Sequence, residues 1–341
     1  MKLWKDSSLK IGLAPMDGIT DPVFRYLVAK HSKPDFLVTE FTNVEGLSRG
    51  AVKMMQAFYY DEIEKPIIAQ IYGIELESFY KSAIMLLYMG FDGIDINMGC
   101  PASKVAKRGG GAALIKTPEH AQKIIRIVQK ACGDFENGIS MEEAGVHERI
   151  ISYVKKLYKN PVDQKAVDIS VKTRIGYDQD IAEEWMKYLV EARPDSICVH
   201  GRTLKQMYTG KADWDAIARA GKVVKSAGIN FLGNGDIQNM QDAEQKIKNY
   251  DLDGVMVGRA CLGNPWFFSD KIPSLTERLE VCMEHAYLME NKYPDLHFAS
   301  ARKHFAWYMK EFPGARELRT RLIQCSSYAE IKHIVDDFLS S

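Results

Sequence analysis

No C-x-x-C pair occurs among the six cysteines (100, 132, 198, 261, 282 and 325). Neither a disulfide framework nor a metal site is therefore expected, and the chain reads as one with free thiols in a reducing cytoplasm. Long apolar runs are missing too. The longest, around residues 83–91, is too short to span a bilayer, and residues 1–13 hold no stretch suited to a signal peptide. No net charge is left over, with 45 Lys plus Arg against 45 Asp plus Glu, so contact with a nucleic acid would rest on local patches rather than a global field. Nor does a G-x-G-x-x-G follow the first strand-like run, which counts against a doubly wound dinucleotide-binding sheet. What is present is 341 residues at 46% hydrophobic content, ample for one large domain plus a smaller one.

Eight short apolar runs rich in β-branched residues recur at 11–15, 36–40, 67–71, 93–97, 168–173, 196–200, 230–233 and 254–258. Amphipathic patterns separate most of them, at 21–31, 44–57, 76–89, 118–131, 181–192, 214–226 and 240–249, with a short turn near 262–269. Continuous apolar strands alternating with amphipathic helices indicate a parallel sheet covered by helices, and eight such units fit a (β/α)8 TIM barrel over residues 1–271. A polar insertion at 133–167, with a helical pattern of its own at 146–158, interrupts the series. Residues 272–341 carry helical periodicity alone, at 275–291, 298–311, 315–324 and 328–339, and read as a separate helical domain.

Glycine and polar residues cluster just after the strands, on the face where barrel active sites lie. Gly233-Asn234-Gly235-Asp236 and Gly258-Arg259 follow the seventh and eighth strands, where barrels often hold a phosphate on backbone N–H groups. Lys172 ends the fifth strand; inside a barrel mouth it needs an anionic partner, which a reduced flavin would supply. Arg174 and His200 belong to the same face. Cys100, flanked by Gly99 and Pro101, sits at a shaped strand end without a sequence-local base, which suits a proton donor better than a thiolate nucleophile. Lys104, Lys107 and Arg108 follow it, and from Arg302 and Lys303 to Arg321 six basic residues face two acidic ones, with His304, Trp307 and Tyr308 interleaved. Such patches suit phosphate contact with base stacking, against the plainer reading of a solvated helix face over core aromatics.

The segments Ala14-Pro15-Met16-Asp17-Gly18-Ile19-Thr20-Asp21, Asn97-Met98-Gly99-Cys100-Pro101, Val171-Lys172-Thr173-Arg174, Val199-His200-Gly201-Arg202-Thr203, Gly233-Asn234-Gly235-Asp236 and Val257-Gly258-Arg259, in that order, resemble those of the tRNA-dihydrouridine synthases. The run Gln206-x-Tyr208-x-Gly210-x-Ala212-Asp213-Trp214 is similar to that family as well. The resemblance implies an FMN-dependent, NADPH-reduced oxidoreductase that converts uridine to 5,6-dihydrouridine in tRNA, acting as a cytoplasmic monomer with a C-terminal helical domain that grips RNA. Pro15, Met16 and Gln70 would lie along the flavin ring, with Asp17 also in the cofactor site. Lys172 and His200 would meet the ring's polar edge or the nearby substrate, and Asn234, Gly235, Asp236, Gly258 and Arg259 would hold the flavin's phosphate. Cys100 would be the general acid, Asn97 and Arg174 would hold the uracil, and Arg202 would join Lys104, Arg108, Arg302 and Lys303 on the RNA side. Three other readings stand beside it: a synthase acting on ribosomal RNA, a barrel flavoenzyme acting on a free pyrimidine, and a non-catalytic RNA-binding protein.

Overall fold

The computed structural model describes residues 3–5, 10–158, 167–269 and 271–340. Among these, eight parallel strands close into a barrel: β1 (Ile11–Leu13), β2 (Phe36–Val38), β3 (Ile67–Tyr72), β4 (Gly93–Met98), β5 (Asp168–Arg174), β6 (Ser196–His200), β7 (Asn230–Asn234) and β8 (Gly254–Val257). The ring closes because β1 pairs with both β8 and β2, and β2 pairs in turn with β3. A two-residue strand, Thr42–Asn43, extends the ring beside the end of β3. Nearly all strand residues are buried, as expected where helices cover the outer face and side chains fill the interior. The sequence-derived strands match these within one or two residues.

The barrel is wrapped by α1 (Pro22–His31), α2 (Val44–Ser48), α3 (Leu76–Tyr88), α4 (Pro118–Glu136), α5 (Glu148–Leu157), α6 (Ala182–Glu191), α7 (Trp214–Ser226) and α8 (Met240–Asn249). Several start on a side-chain cap just beyond the strand ends: Asp21 accepts from the Phe24 N–H, Asn43 from Gly46, Asp213 from Ala216 and Asn239 from Asp242. The helix expected over 44–57 is instead α2 followed by a 3-10 helix, Val52–Phe58. The break falls at Gly50, whose φ of +81° is left-handed and whose missing Cβ leaves room for the His147 ring; a Cβ would lie 2.7 Å from it.

The insertion is not the polar appendage its composition suggests. α4 runs five residues beyond the expected 131, and Met141, Val146, Ile150, Ile151 and Val154 join the buried core of the barrel. α5 lies against α3 and Val52–Phe58. The rest of the insertion, 159–166, lies outside the described residues.

Beyond the barrel come α9 (Leu275–Asn291), a 3-10 turn (Phe298–Ala301), α10 (Arg302–Tyr308), α11 (Ala315–Leu322) and α12 (Tyr328–Ser340). The single helix expected over 298–311 thus divides in two. These helices share a second buried cluster, which also takes in Val23 and Leu27 from α1 and Trp266. The outer face of α1 is therefore the seam between barrel and tail. Lys30–Glu284 and Lys292–Asp61 ion pairs cross it, and Tyr59 donates to Asp295 while its hydroxyl also meets that of Tyr153 on α5. Among the described residues no helix is long and apolar enough to cross a membrane.

Candidate active site

A cleft of about 560 Å3 opens at the C-terminal ends of the strands, within the size range of small-molecule and cofactor sites. Ala14, Pro15 and Met16 after β1, with Met256 on β8, form an apolar wall. Cys100, Lys172, Arg174, His200, Asn234 and Arg259 bring polar groups to the same space from β4, β5, β6, β7 and β8. Of the expected site residues, Pro15, Met16, Asp17, Asn97, Cys100, Lys172, Arg174, His200, Asn234, Gly235, Asp236, Gly258 and Arg259 all line this one cleft.

Cys100 is held by its own strand end. The Asn97 side-chain oxygen accepts the N–H groups of Gly99 and Cys100 at 3.0 and 2.8 Å, turning the chain sharply as β4 ends. Arg174 donates to the Gly99 carbonyl at 2.7 Å and to the Thr203 and Met207 carbonyls. Gly111 closes the back: its φ is +58°, and a Cβ there would meet the Cys100 carbonyl at 2.9 Å. The glycine-rich loop thus serves the cysteine by leaving room for it. The thiol is 7% exposed, and burial, helped by the Asp17 charge, pushes its pKa up, so it stays protonated at neutral pH.

Beneath the cleft lies a buried chain of polar groups. Asn97 donates to Gln70, Gln70 donates to Asp95 at 2.7 Å, and Ser170 donates to the other Asp95 oxygen at 2.6 Å. Burial pushes Asp95 up to about 6, with those two donors and Lys172 pulling the other way. Gln70, expected along a flavin ring, is fully buried and absent from the cleft lining; both ends of its amide are used in this chain. Asp95 was missed by sequence reasoning, although a carboxylate inside an apolar strand is itself a signal.

Lys172 donates to Asn234 at 2.9 Å. Burial pulls its ammonium below the usual range, Arg174 adds repulsion, and Cys198 and Asp95 act the other way. His200 is held neutral, first by burial and then by the cations around it. Arg202 lies 3.2 Å from His200 Nε2, and an arginine can only donate, so Nε2 accepts and the ring proton sits on Nδ1. Arg202 itself is 2% exposed and spends its N–H groups on His200, the Asp236 carboxylate and the Thr209 and Gly210 carbonyls. It braces the cleft wall rather than facing RNA, a correction to the expectation. The Asp236 carboxylate is likewise committed, to Arg202, Arg259 and the Ala212 N–H, so only its backbone is free to meet a phosphate.

The basic residues divide. Lys104, Lys107 and Arg108 are exposed beside the cleft. Arg302 points into the tail, donating to the Cys325 carbonyl at 3.0 Å. Lys303 turns towards the barrel: its Nζ lies 3.2 Å from where a Gly18 Cβ would be, and its charge acts on Asp17 and Asp21. His304 and Tyr308 are fully buried in the seam, which removes both from any surface that could stack on a base. Tyr208, on the cleft rim, is 58% exposed. Phe41 also lines the cleft, and neighbouring half-buried Glu40 is pushed up to about 7 by desolvation and by the nearby Asp21 charge.

Compared with known proteins, the chain matches the family model described as dihydrouridine synthase (Dus) over residues 12–136 and 139–341. It is 34% identical over 336 residues to the "Probable tRNA-dihydrouridine synthase" of Staphylococcus epidermidis, spanning 96% of this chain and 92% of that protein. The "Probable tRNA-dihydrouridine synthase 1" of Synechocystis is 30% identical over 341 residues, spanning 96% and 86%.

Proposed function

The chain belongs to the dihydrouridine synthase family, and on that premise we propose that it reduces uridine to 5,6-dihydrouridine in tRNA with FMN held in the cleft, NADPH as reductant and Cys100 as proton donor. One observation carries the reading: a protonated, buried thiol opens into the same cleft as Lys172, Arg174, His200, Asn234 and Arg259. The cleft fits a flavin. Its apolar wall, Ala14 to Met16 with Met256, suits a ring, and Asn234, Gly235 and Arg259 stand at the side where a phosphate would be held.

Bound there, FMN would supply the hydride for uracil C6. The protein does the rest. Lys172 and the Nδ1–H of His200 offer donors to the polar edge of the ring. Asn97 and Arg174 orient the uracil, and Cys100 delivers a proton to C5. A base reaches this depth only by leaving its stack, which costs a few kcal/mol and is easiest in a loop. Residues 272–341 form the helical domain that meets the RNA, with Lys303 reaching back to the cleft mouth and exposed Lys104 and Arg108 lying alongside.

An unmodified tRNA transcript, a ribosomal RNA fragment and UMP, each given to FMN-loaded protein with NADPH, test the substrate. Only the tRNA is expected to gain dihydrouridine by mass spectrometry; reduction of UMP at a similar rate would sink the tRNA assignment. The pH dependence tests the acid. A proton donor must be protonated, so turnover falls as pH rises through its pKa, and burial moves that limb above the ~8.5 of an ordinary thiol. Single-turnover rates should hold level from neutral pH to about 8.5; a limb centred below neutrality would rule out this thiol as the donor.

A further inference from the structure

Asp21, His285 and His304 come together at the seam between barrel and tail, from the N-cap of α1, from α9 and from α10. His285 and His304 are fully buried and Asp21 is 8% exposed. One ligand atom from each lies within 4.8 Å of the others. The rings of the two histidines are 4.8 Å apart between centroids, and His304 Nε2 is 3.9 Å from Asp21 Oδ2.

None of these inward atoms has a hydrogen-bond partner: Asp21 Oδ2, His285 Nε2 and both nitrogens of His304 are buried and unsatisfied. The Ile19 carbonyl acts on the His304 ring without the geometry of a hydrogen bond. Buried polar groups are costly to leave unpaired, so three side chains that each turn an unpartnered atom to one place call for an occupant. Burial holds both rings neutral, which leaves lone pairs for a ligand rather than protons for an ion pair. His285 has the outer partner that orients a metal ligand: Tyr308 pairs with its Nδ1 at 2.9 Å, leaving Nε2 as the inward atom. The His304 ring is held by packing against Phe24 and Trp307.

We propose that Asp21, His285 and His304 bind one divalent transition-metal ion, zinc by donor type, which clasps the helical tail to the first barrel helix. Two imidazoles and one carboxylate suit zinc, with a water completing four-coordination. Zinc about 2.1 Å from each donor would draw them to roughly 3.4 Å apart, a closure of about an ångström that side-chain rotation supplies. Arg25 and Lys303 repel a cation here, while the Glu40 carboxyl beside Asp21 offsets part of that repulsion. The site is outside the cleft, yet Asp21 immediately follows the loop of Pro15 to Thr20 that lines it. Cysteine spacing could not reveal it, because no cysteine takes part and the three residues are remote in sequence.

Full-length protein without a polyhistidine tag, stripped with chelator and then reconstituted with zinc or with cobalt(II), gives the test. After gel filtration about one ion per chain should remain, and cobalt(II) should show the intense visible bands of a four-coordinate centre. The stripped protein should melt several degrees lower and recover with zinc. His304→Gln and His285→Asn should each weaken retention at least tenfold, and Tyr308→Phe should do so by about tenfold through His285. The cobalt(II) spectrum of the unmutated chain decides the question even if the histidine variants fail to fold. A reconstituted, folded protein that keeps only trace metal would overturn the proposal and leave the space to ordered water, as would full metal retention by either folded histidine variant.

Discussion

Replacing Cys100 with alanine should lower turnover on unmodified tRNA by roughly 10²–10⁴-fold while FMN content stays unchanged. The thiol is the natural acid at the cleft because its neighbours are not. His200 is held neutral, and its Nε2 accepts from Arg202, so it has no spare positive charge to discharge as an acid. Lys172 and Arg174 are tied to Asn234 and to backbone carbonyls. Asp95, though raised to about 6, lies beneath the cleft and accepts from Gln70 and Ser170. Asp17 also lines the cleft with a raised pKa, but it rises from a carboxyl's range, whereas Cys100 rises from a thiol's and stays protonated at neutral pH. Little cofactor contact is lost with its sulfur, so the defect belongs in the chemical step and should appear in single-turnover rates. Turnover within about twofold of the unmutated enzyme would remove Cys100 as the acid.

Arg25→Ala should destabilise the fold by about 3–5 kcal/mol. Arg25 is fully buried and pairs with the equally buried Glu64 at 3.0 Å. Its other nitrogens donate to the Thr20 carbonyl at 2.8 Å and the Tyr59 carbonyl at 2.5 Å. Truncation would leave a carboxylate buried without its counter-ion and two carbonyls without donors, the costliest way to break such a pair. Melting should fall by roughly 10 °C. Because Thr20 ends the loop that lines the cleft and Tyr59 joins the barrel to Tyr153 and Asp295, the same change should also weaken FMN retention. Arg25→Lys restores the charge but not the planar fork, so it should recover only part of the loss. Unchanged melting in Arg25→Ala would show that the seam does not depend on this residue.

Some of this was legible from residues alone. The barrel was, because β-branched apolar runs of strand length alternated with amphipathic helices, and because Asn97, Lys172, His200, Asn234 and Arg259 fell at equivalent strand ends. Their convergence on one cleft follows from barrel topology. What failed was the reading of charge and polarity without burial. Arg202 and Arg302 look like RNA contacts in a string of letters, yet one braces a wall and the other holds the end of the tail. Residues 133–167 look like a polar excursion because their few apolar side chains are dispersed, yet one helical face gathers Ile150, Ile151 and Val154 into the core. The break at Gly50 depends on His147, nearly a hundred residues away, which no local pattern records. Gln70 was placed on the correct strand, but depth along the strand sets it beneath the cleft floor.

If one cleft serves a flavin, a nicotinamide reductant and tRNA, anaerobic absorbance of the purified protein loaded with FMN will follow all three. The bands should bleach on adding NADPH and return on adding tRNA transcript that lacks dihydrouridine, but not on adding tRNA already fully modified. A protein that takes up no FMN, or whose bleached bands ignore the unmodified transcript, would contradict it.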